Sequence, residues 1–210
     1  MNGSFGSAFK ADLLDLMRWR RDVRRFRTDP VEAAVLDRCL ATFNLAPSVG
    51  LSEPWRIIKV ESNAVRAAAQ ANFETANAQA LQGFCGERAR LYSALKLSGM
   101  REAPVQLAVF CDRGSAKGHG LGAATMPETL AYSVVGAITL FWLTLRAEGL
   151  GLGWVSILDP KAMARDLAAP GEWDLIGYLC IGWPEKSDMV PELEQVGWEK
   201  RAQSLTVETR

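Results

Sequence analysis

Apolar residues recur at helical spacing over residues 9–21, where Leu13, Leu14, Leu16 and Met17 sit among charges. That stretch ends in the basic cluster Arg18, Arg20, Arg21, Arg24 and Arg25, the strongest local charge of the chain. A second helix is predicted from residue 30 to about residue 44. Asp29-Pro30 reads as an N-cap followed by a favoured first helical residue, with Val31, Val35, Leu36 and Leu40 turned inward. The loop Ala46-Pro47-Ser48-Val49-Gly50 breaks it. Residues 55–60 and 105–111, each following a proline, are β-rich apolar runs and read as core strands. Between them, residues 64–82 are rich in Ala, Asn and Gln and residues 87–100 carry alternating charge. They predict a helical pair beside the core that could act as a lid. Residues 129–148 form the most hydrophobic helix, 154–158 a short strand, Asp159-Pro160 the start of a short helix, and 175–181 the last strong strand. The tail, 199–210, holds the β-prone Leu205-Thr206-Val207; it is either an added strand reaching a partner subunit or a frayed end.

Interleaved helices and four or five strands imply an α+β or α/β layer structure, and residues 1–210 read as one domain without repeats. The uncharged run 130–145 falls short of the ~20 apolar residues that span a bilayer, so it reads as a buried helix. A helix apolar on nearly every face needs more cover than a small domain offers; it is expected at a homodimer interface, the alternative being a helix sandwiched between sheet and outer helices within one chain. With 49% hydrophobic and 23% charged residues the chain is globular rather than disordered. Its 24 basic residues balance 24 acidic ones, which leaves no global field for nucleic acid or an anionic membrane. Residues 1–10 lack the apolar core of a secretory signal, and the four cysteines form no C-x-x-C pair; a cytoplasmic protein with free thiols is expected. His119 is the only histidine, so no metal site and no Ser-His-Asp triad is expected.

Three segments carry candidate chemistry. Gly149, Gly151 and Gly153 end a helix and feed a strand, the reverse of a dinucleotide fingerprint. They leave either a bare backbone for a flat ligand or a helix-terminating turn with spare glycines. Arg20-Arg21-Asp22-Val23-Arg24 sets guanidinium forks, suited to a phosphate, around one carboxylate. Asp22 is either the ion-pair partner that orders the arginines or a base set against the ligand. The loop 46–55, with two prolines, a glycine and hydroxyls, is of the rigid kind that positions backbone donors at a site.

Taken together, R-R-D-V-R at 20–24, A-P-S-V-G-x-x-x-P-W at 46–55 and E-G-L-G-L-G-W-V-S-I at 148–157 resemble the flavin-dependent nitroreductase superfamily. Within it the chain is similar to the 5,6-dimethylbenzimidazole synthase family over about residues 14–201. Supporting stretches are Gly86-Glu87-Arg88, Leu95-Lys96-Leu97, Arg101-Glu102-Ala103-Pro104 and Gly197-Trp198. Asp22 stands where ordinary nitroreductases carry Ser, and Gly50-Leu51 where their proline loop continues with Asn. Glu53 stands where a Gln commonly precedes Pro-Trp, which removes a donor and adds a charge.

The resemblance implies an α+β nitroreductase-like fold: a central mixed, mainly antiparallel sheet flanked by helices, in an intertwined homodimer with a helical lid over about residues 64–100. FMN would lie across both chains. Arg20, Arg21, Arg24 and Arg201 would hold its phosphate and pyrimidine edge. Pro47, Ser48, Val49, Gly50, Gly153, Trp154 and Val155 would line its ring, with Asp22, Val23 and Ser156 alongside. The catalytic pair would be Asp22, as base, and Ser156, as an orienting hydroxyl. The implied activity is oxygen-dependent fragmentation of reduced FMN to 5,6-dimethylbenzimidazole, the lower ligand of cobalamin, and erythrose 4-phosphate. Dioxygen would be co-substrate, no metal would take part, and a separate flavin reductase would supply the reduced flavin. The alternatives are an NAD(P)H-dependent FMN nitroreductase, a cob(II)yrinic acid a,c-diamide reductase, and a flavin-sequestering protein without chemistry.

Overall fold

A computed structural model describes residues 3–210; the first two residues of the 1–210 domain, and of the stretch read for a secretory signal, lie outside the described residues. Its centre is a four-stranded antiparallel sheet in the order β1-β2-β4-β3, formed by β1 (Trp55–Lys59), β2 (Val105–Asp112), β3 (Gly151–Val155) and β4 (Trp173–Gly182). Every residue of β2 is buried, so both faces of the sheet are covered. Alternation along the strands divides the core in two. Leu107, Val109, Cys111, Leu179 and Ile181 join one cluster, and Ala108, Phe110, Tyr178 and Cys180 join the other.

The first cluster is closed by α5 (Thr129–Ala147), which buries Val134, Ala137, Ile138, Phe141 and Leu145 against the sheet, and by α2 (Ala33–Leu40). By length and composition α5 could cross a membrane, yet its apolar stripe is spent on this core. Gly149 ends it in a left-handed turn, with the Gly149 N–H on Arg146 O and the Leu150 N–H on Leu145 O, and the chain passes straight into β3. The second cluster is closed by α3 (Asn63–Leu81) and α6 (Pro160–Asp166), through Ala69, Phe73 and Met163. Beyond α3, α4 (Gly86–Ala94) turns back along it, with the Tyr92 hydroxyl donating to Asn77 Oδ1 at 2.8 Å. The leading helix, α1 (Ser7–Trp19), buries no residue; its Phe9, Leu14 and Met17 are exposed, as is Phe5 just before it.

Three sequence expectations shift. The helix expected to open at Asp29-Pro30 begins at Ala33, because Asp29 is occupied by Arg27 at 2.6 Å and the Pro30 carbonyl accepts from Trp183 Nε1 at 3.2 Å. The second lid helix stops at Ala94 instead of residue 100. From Leu95 the backbone is extended; the Lys96 carbonyl accepts from Arg24 at 3.4 Å and the Met100 carbonyl from Gln106 at 2.6 Å. The strand placed at 154–158 is Gly151–Val155, since glycines read as breakers are paired with β4 from Gly151↔Gly182 to Val155↔Tyr178. Asp159 does cap its helix, accepting from the Lys161 and Ala162 N–H groups. The tail 199–210 is exposed and forms no strand.

The segment after α1 completes the sheet. Asp22 bridges Leu152 in parallel, the Val23 N–H donates to Leu152 O at 3.0 Å, and Phe26 bridges Pro184, so residues 22–26 cover the free edge of β3. A Cβ on Gly151 would lie 2.7 Å from Val23 Cγ2, and one on Gly153 would overlap the Val23 carbonyl oxygen. The bareness of these glycines therefore serves the chain's own close packing. Gly153→Ala is expected to lower stability by about 3 kcal/mol, since the obstruction is backbone and cannot rotate away. Urea unfolding of the variant checks this, and an unchanged midpoint would contradict it.

Candidate functional site

Covering β3 places Asp22 at a crossing of elements. Its Oδ1 accepts the Trp154 N–H at 2.9 Å and its Oδ2 accepts Arg24 Nε at 2.8 Å, with Arg24 only 14% exposed and Asp22 32%. Both carboxylate oxygens are thus held, and each keeps a lone pair for a further proton or donor. The ion-pair reading of Asp22 and the base reading are compatible in this geometry, because Arg24 fixes the carboxylate without surrounding it.

The other arginines diverge in their contacts. Arg20 lies over the Trp142 ring with its guanidinium carbon 4.6 Å from the centroid. Arg21 donates to the Met189 carbonyl and, at 2.6 Å, to the Arg20 carbonyl. Burial pulls the Arg20 and Arg21 guanidinium groups below their ordinary range, and the like charge of Arg201 adds to this at both. The three cations thus repel one another, while Asp22 opposes the shift at Arg20 and Asp188 the shift at Arg21. An anion of phosphate type would relieve that repulsion and suit the guanidinium forks.

A cavity of about 290 Å³ is lined among others by Trp19, Arg21, Asp22, Arg24, Trp142 and Arg146; Arg20 and Arg201 are not among its lining residues. Sequence reasoning missed Trp19, Trp142 and Arg146. Trp142 was concealed within a helix read only as apolar, and Arg146 pairs with Trp19 through space, 5.8 Å from its ring centroid.

The remaining expected residues lie apart from that cavity. Ser156 is exposed just past the end of β3. Pro47, Ser48, Val49 and Gly50 form a separate, braced loop. The Val49 N–H donates to Ser133 Oγ at 3.0 Å, the Glu53 N–H donates to Ser48 Oγ at 3.1 Å, and Gly50 packs against the backbone of residues 118–121. Glu53, the departure from the commoner Gln, is ion-paired with Lys117. Gly153, Trp154 and Val155 lie on β3 beside Asp22, with Val155 buried in the second cluster. One chain therefore unites the arginines, Asp22 and β3, but not the proline loop. Among the described residues no three His, Cys, Asp or Glu side chains group to hold a metal ion.

The sequence profile described as the Nitroreductase family matches residues 17–183. The chain is 51% identical over 197 residues to the 5,6-dimethylbenzimidazole synthase of Rhodospirillum rubrum, covering 94% of this chain and 93% of that protein. It is equally 51% identical to the 5,6-dimethylbenzimidazole synthase of Rhodobacter capsulatus, over 94% of this chain and 95% of that one. Among solved structures, it is similar to oxidized iodotyrosine deiodinase bound to FMN and 3-iodo-L-tyrosine. The TM-score is 0.75 at 22% identity, covering 94% of this chain and 99% of that one. That likeness shows the fold.

If the three cations form an anion site, inorganic phosphate at about 10 mM will raise the melting temperature of the protein by a few degrees. Arg201→Ala should remove most of that rise. An equal rise in the variant would show that the ion binds elsewhere.

Proposed function

The chain belongs to the nitroreductase family, and on that footing we propose that it is a 5,6-dimethylbenzimidazole synthase, fragmenting reduced FMN with dioxygen to 5,6-dimethylbenzimidazole and erythrose 4-phosphate. The observation that carries the reading is the Asp22 carboxylate, fixed between the Trp154 N–H and Arg24 and set beside converging arginines, in a chain so similar to two synthases.

The residues present fit FMN. Arg20, Arg21 and Arg201 would hold its phosphate, whose charge answers their mutual repulsion. Reduced FMN supplies the electrons that dioxygen takes up and the carbon skeleton of the product. Asp22 would accept a proton from the ribityl chain, its lone pairs aimed by Trp154 and Arg24 so that no side-chain reorientation is needed. Ser156 would orient a polar atom of the ring from the end of β3. The α3–α4 hairpin would exclude water from the reacting atoms.

The working assembly is a homodimer. This rests on the exposed apolar side chains of α1 and on Tyr132 and Val135 of α5, which are exposed on one chain. The proline loop, remote from the Asp22 cavity on its own chain, would reach a site from the partner. Reduced flavin would come from a separate reductase in the cytoplasm.

Incubating the protein with reduced FMN in air and analysing products by mass tests the activity: dimethylbenzimidazole is expected, and quantitative recovery of intact flavin would overturn it. Asp22→Asn should keep FMN affinity within about tenfold, roughly 1.4 kcal/mol, while abolishing fragmentation, because the arginines supply the binding. Loss of both would make Asp22 a scaffold for the arginines. For the assembly, light scattering should give about twice the 23.0 kDa of one chain, and a monomeric mass at micromolar concentration would refute the dimer.

A further inference from the structure

The phosphate-binding role proposed for Arg201 raises the question of what holds its segment, since the whole tail from Glu199 is exposed. The answer begins three residues earlier. The short helix α7 (Glu192–Gln195) ends at Gly197, whose φ of 77° is a left-handed conformation that favours glycine. The Gly197 N–H donates to Glu194 O at 3.1 Å and the Trp198 N–H to Leu193 O at 2.8 Å, which turns the chain sharply and throws Trp198 back against the α3–α4 hairpin.

There Trp198 meets an aromatic cluster. Its ring is edge-on to Phe84 at 5.4 Å and tilted to Tyr92 at 6.2 Å, and Phe84 and Tyr92 stack on each other at 4.9 Å. Arg88 of α4 lies over the indole, 5.1 Å from its centroid, and donates to the Trp198 carbonyl at 2.5 Å. The segment carrying Arg201 is therefore held on the hairpin by one aromatic side chain and one guanidinium. Within the hairpin itself α4 buries only Tyr92, so this cluster is a large part of what fixes α4 in place.

We propose that Trp198 and Arg88 are positioning residues that tie Arg201 to the α3–α4 hairpin, so that capture of the flavin's phosphate also fixes the hairpin and selects phosphorylated flavin over riboflavin. The geometry agrees: Arg21 donates to the Met189 carbonyl and Arg25 pairs with Glu192 of α7, so the stretch that leads to Trp198 and Arg201 starts beside the motif at 20–24, and the like charge of Arg201 acts on Arg20 and Arg21. The inference rests on the reading of Arg20, Arg21 and Arg201 as the phosphate site. It makes a distinction that general loss of stability does not, because riboflavin has the same ring and side chain without the phosphate.

The test is equilibrium binding of oxidised FMN and of riboflavin to the full chain, followed by flavin fluorescence, for wild type, Arg201→Ala, Trp198→Ala and Arg88→Met. Arg88 is exposed, so its variant keeps the core if Trp198→Ala folds poorly. Expected is a loss of about tenfold in the FMN-to-riboflavin affinity ratio in all three variants, riboflavin affinity staying within about twofold, and no further loss when Trp198→Ala is added to Arg201→Ala. Amide exchange over residues 63–94 should be slowed by FMN and not by riboflavin in wild type, and by neither in Trp198→Ala. Equal weakening of both flavins, additive losses, or slowing by both flavins would overturn the coupling. If Arg201→Ala itself leaves the ratio unchanged, the phosphate reading of Arg201 fails; if only Trp198→Ala and Arg88→Met leave it unchanged, that reading stands and the coupling alone fails.

Discussion

The Val23 carbonyl rests where a side chain of residue 153 would be, and most of the candidate site follows from that contact. It lets residues 22–26 lie along β3 closely enough for the Val23 N–H to reach Leu152 O, which removes the open edge of the sheet. The same closeness brings the Asp22 carboxylate onto the Trp154 N–H. A group at the end of a surface helix is thereby given the rigidity of a strand, and the arginines on either side of it inherit that placement. Fold and chemistry share one requirement here: bare backbone at Gly151 and Gly153.

The parts of this arrangement that depend on local pattern were legible in the sequence. The apolar runs of β2, β4 and α5 lie close to their expected places, because their period and composition are unambiguous. The motif 20–24 was recognisable as a cluster of cations from residue type alone. What escaped was decided by partners remote in sequence. Asp29-Pro30 has every local mark of a helix start, and Arg27 and Trp183 nonetheless hold it extended. The glycines of β3 look like a turn because the strand that pairs with them lies more than twenty residues downstream, and the segment they accommodate more than a hundred upstream. Trp142 and Arg146 belonged to no motif, and Trp198 only to a supporting stretch; their contacts appear only when rings and guanidinium groups meet in space.

Electrostatically, the site divides its arginines by how they are neutralised. Arg24 is paired with Asp22 and is mostly buried, although it also lines the cavity. Arg20 and Arg21 have carbonyl and aromatic contacts instead, and burial and the like charge of Arg201 pull both below their ordinary range. Such a cluster suits a ligand that brings negative charge, and on the proposed reading one short motif would both order a carboxylate and bind a phosphate.

The α3–α4 hairpin is anchored unevenly. Near its base, Asn72 and Asp159 exchange two bonds, the Asn72 amide donating to the Asp159 carbonyl at 3.0 Å and the Asp159 N–H to Asn72 Oδ1 at 2.8 Å. Those bonds tie α3 to the chain just beyond Ser156. Ala69 and Phe73 add burial on the same stretch, whereas α4 has Tyr92 and its aromatic neighbours alone. Opening that begins at α4 breaks the cluster around Trp198 and leaves the Asn72–Asp159 pair intact, so the end of β3 keeps its shape while the tail is released. In the lid proposed above, a large planar ligand entering from the side of the tail would leave that end of β3 undisturbed.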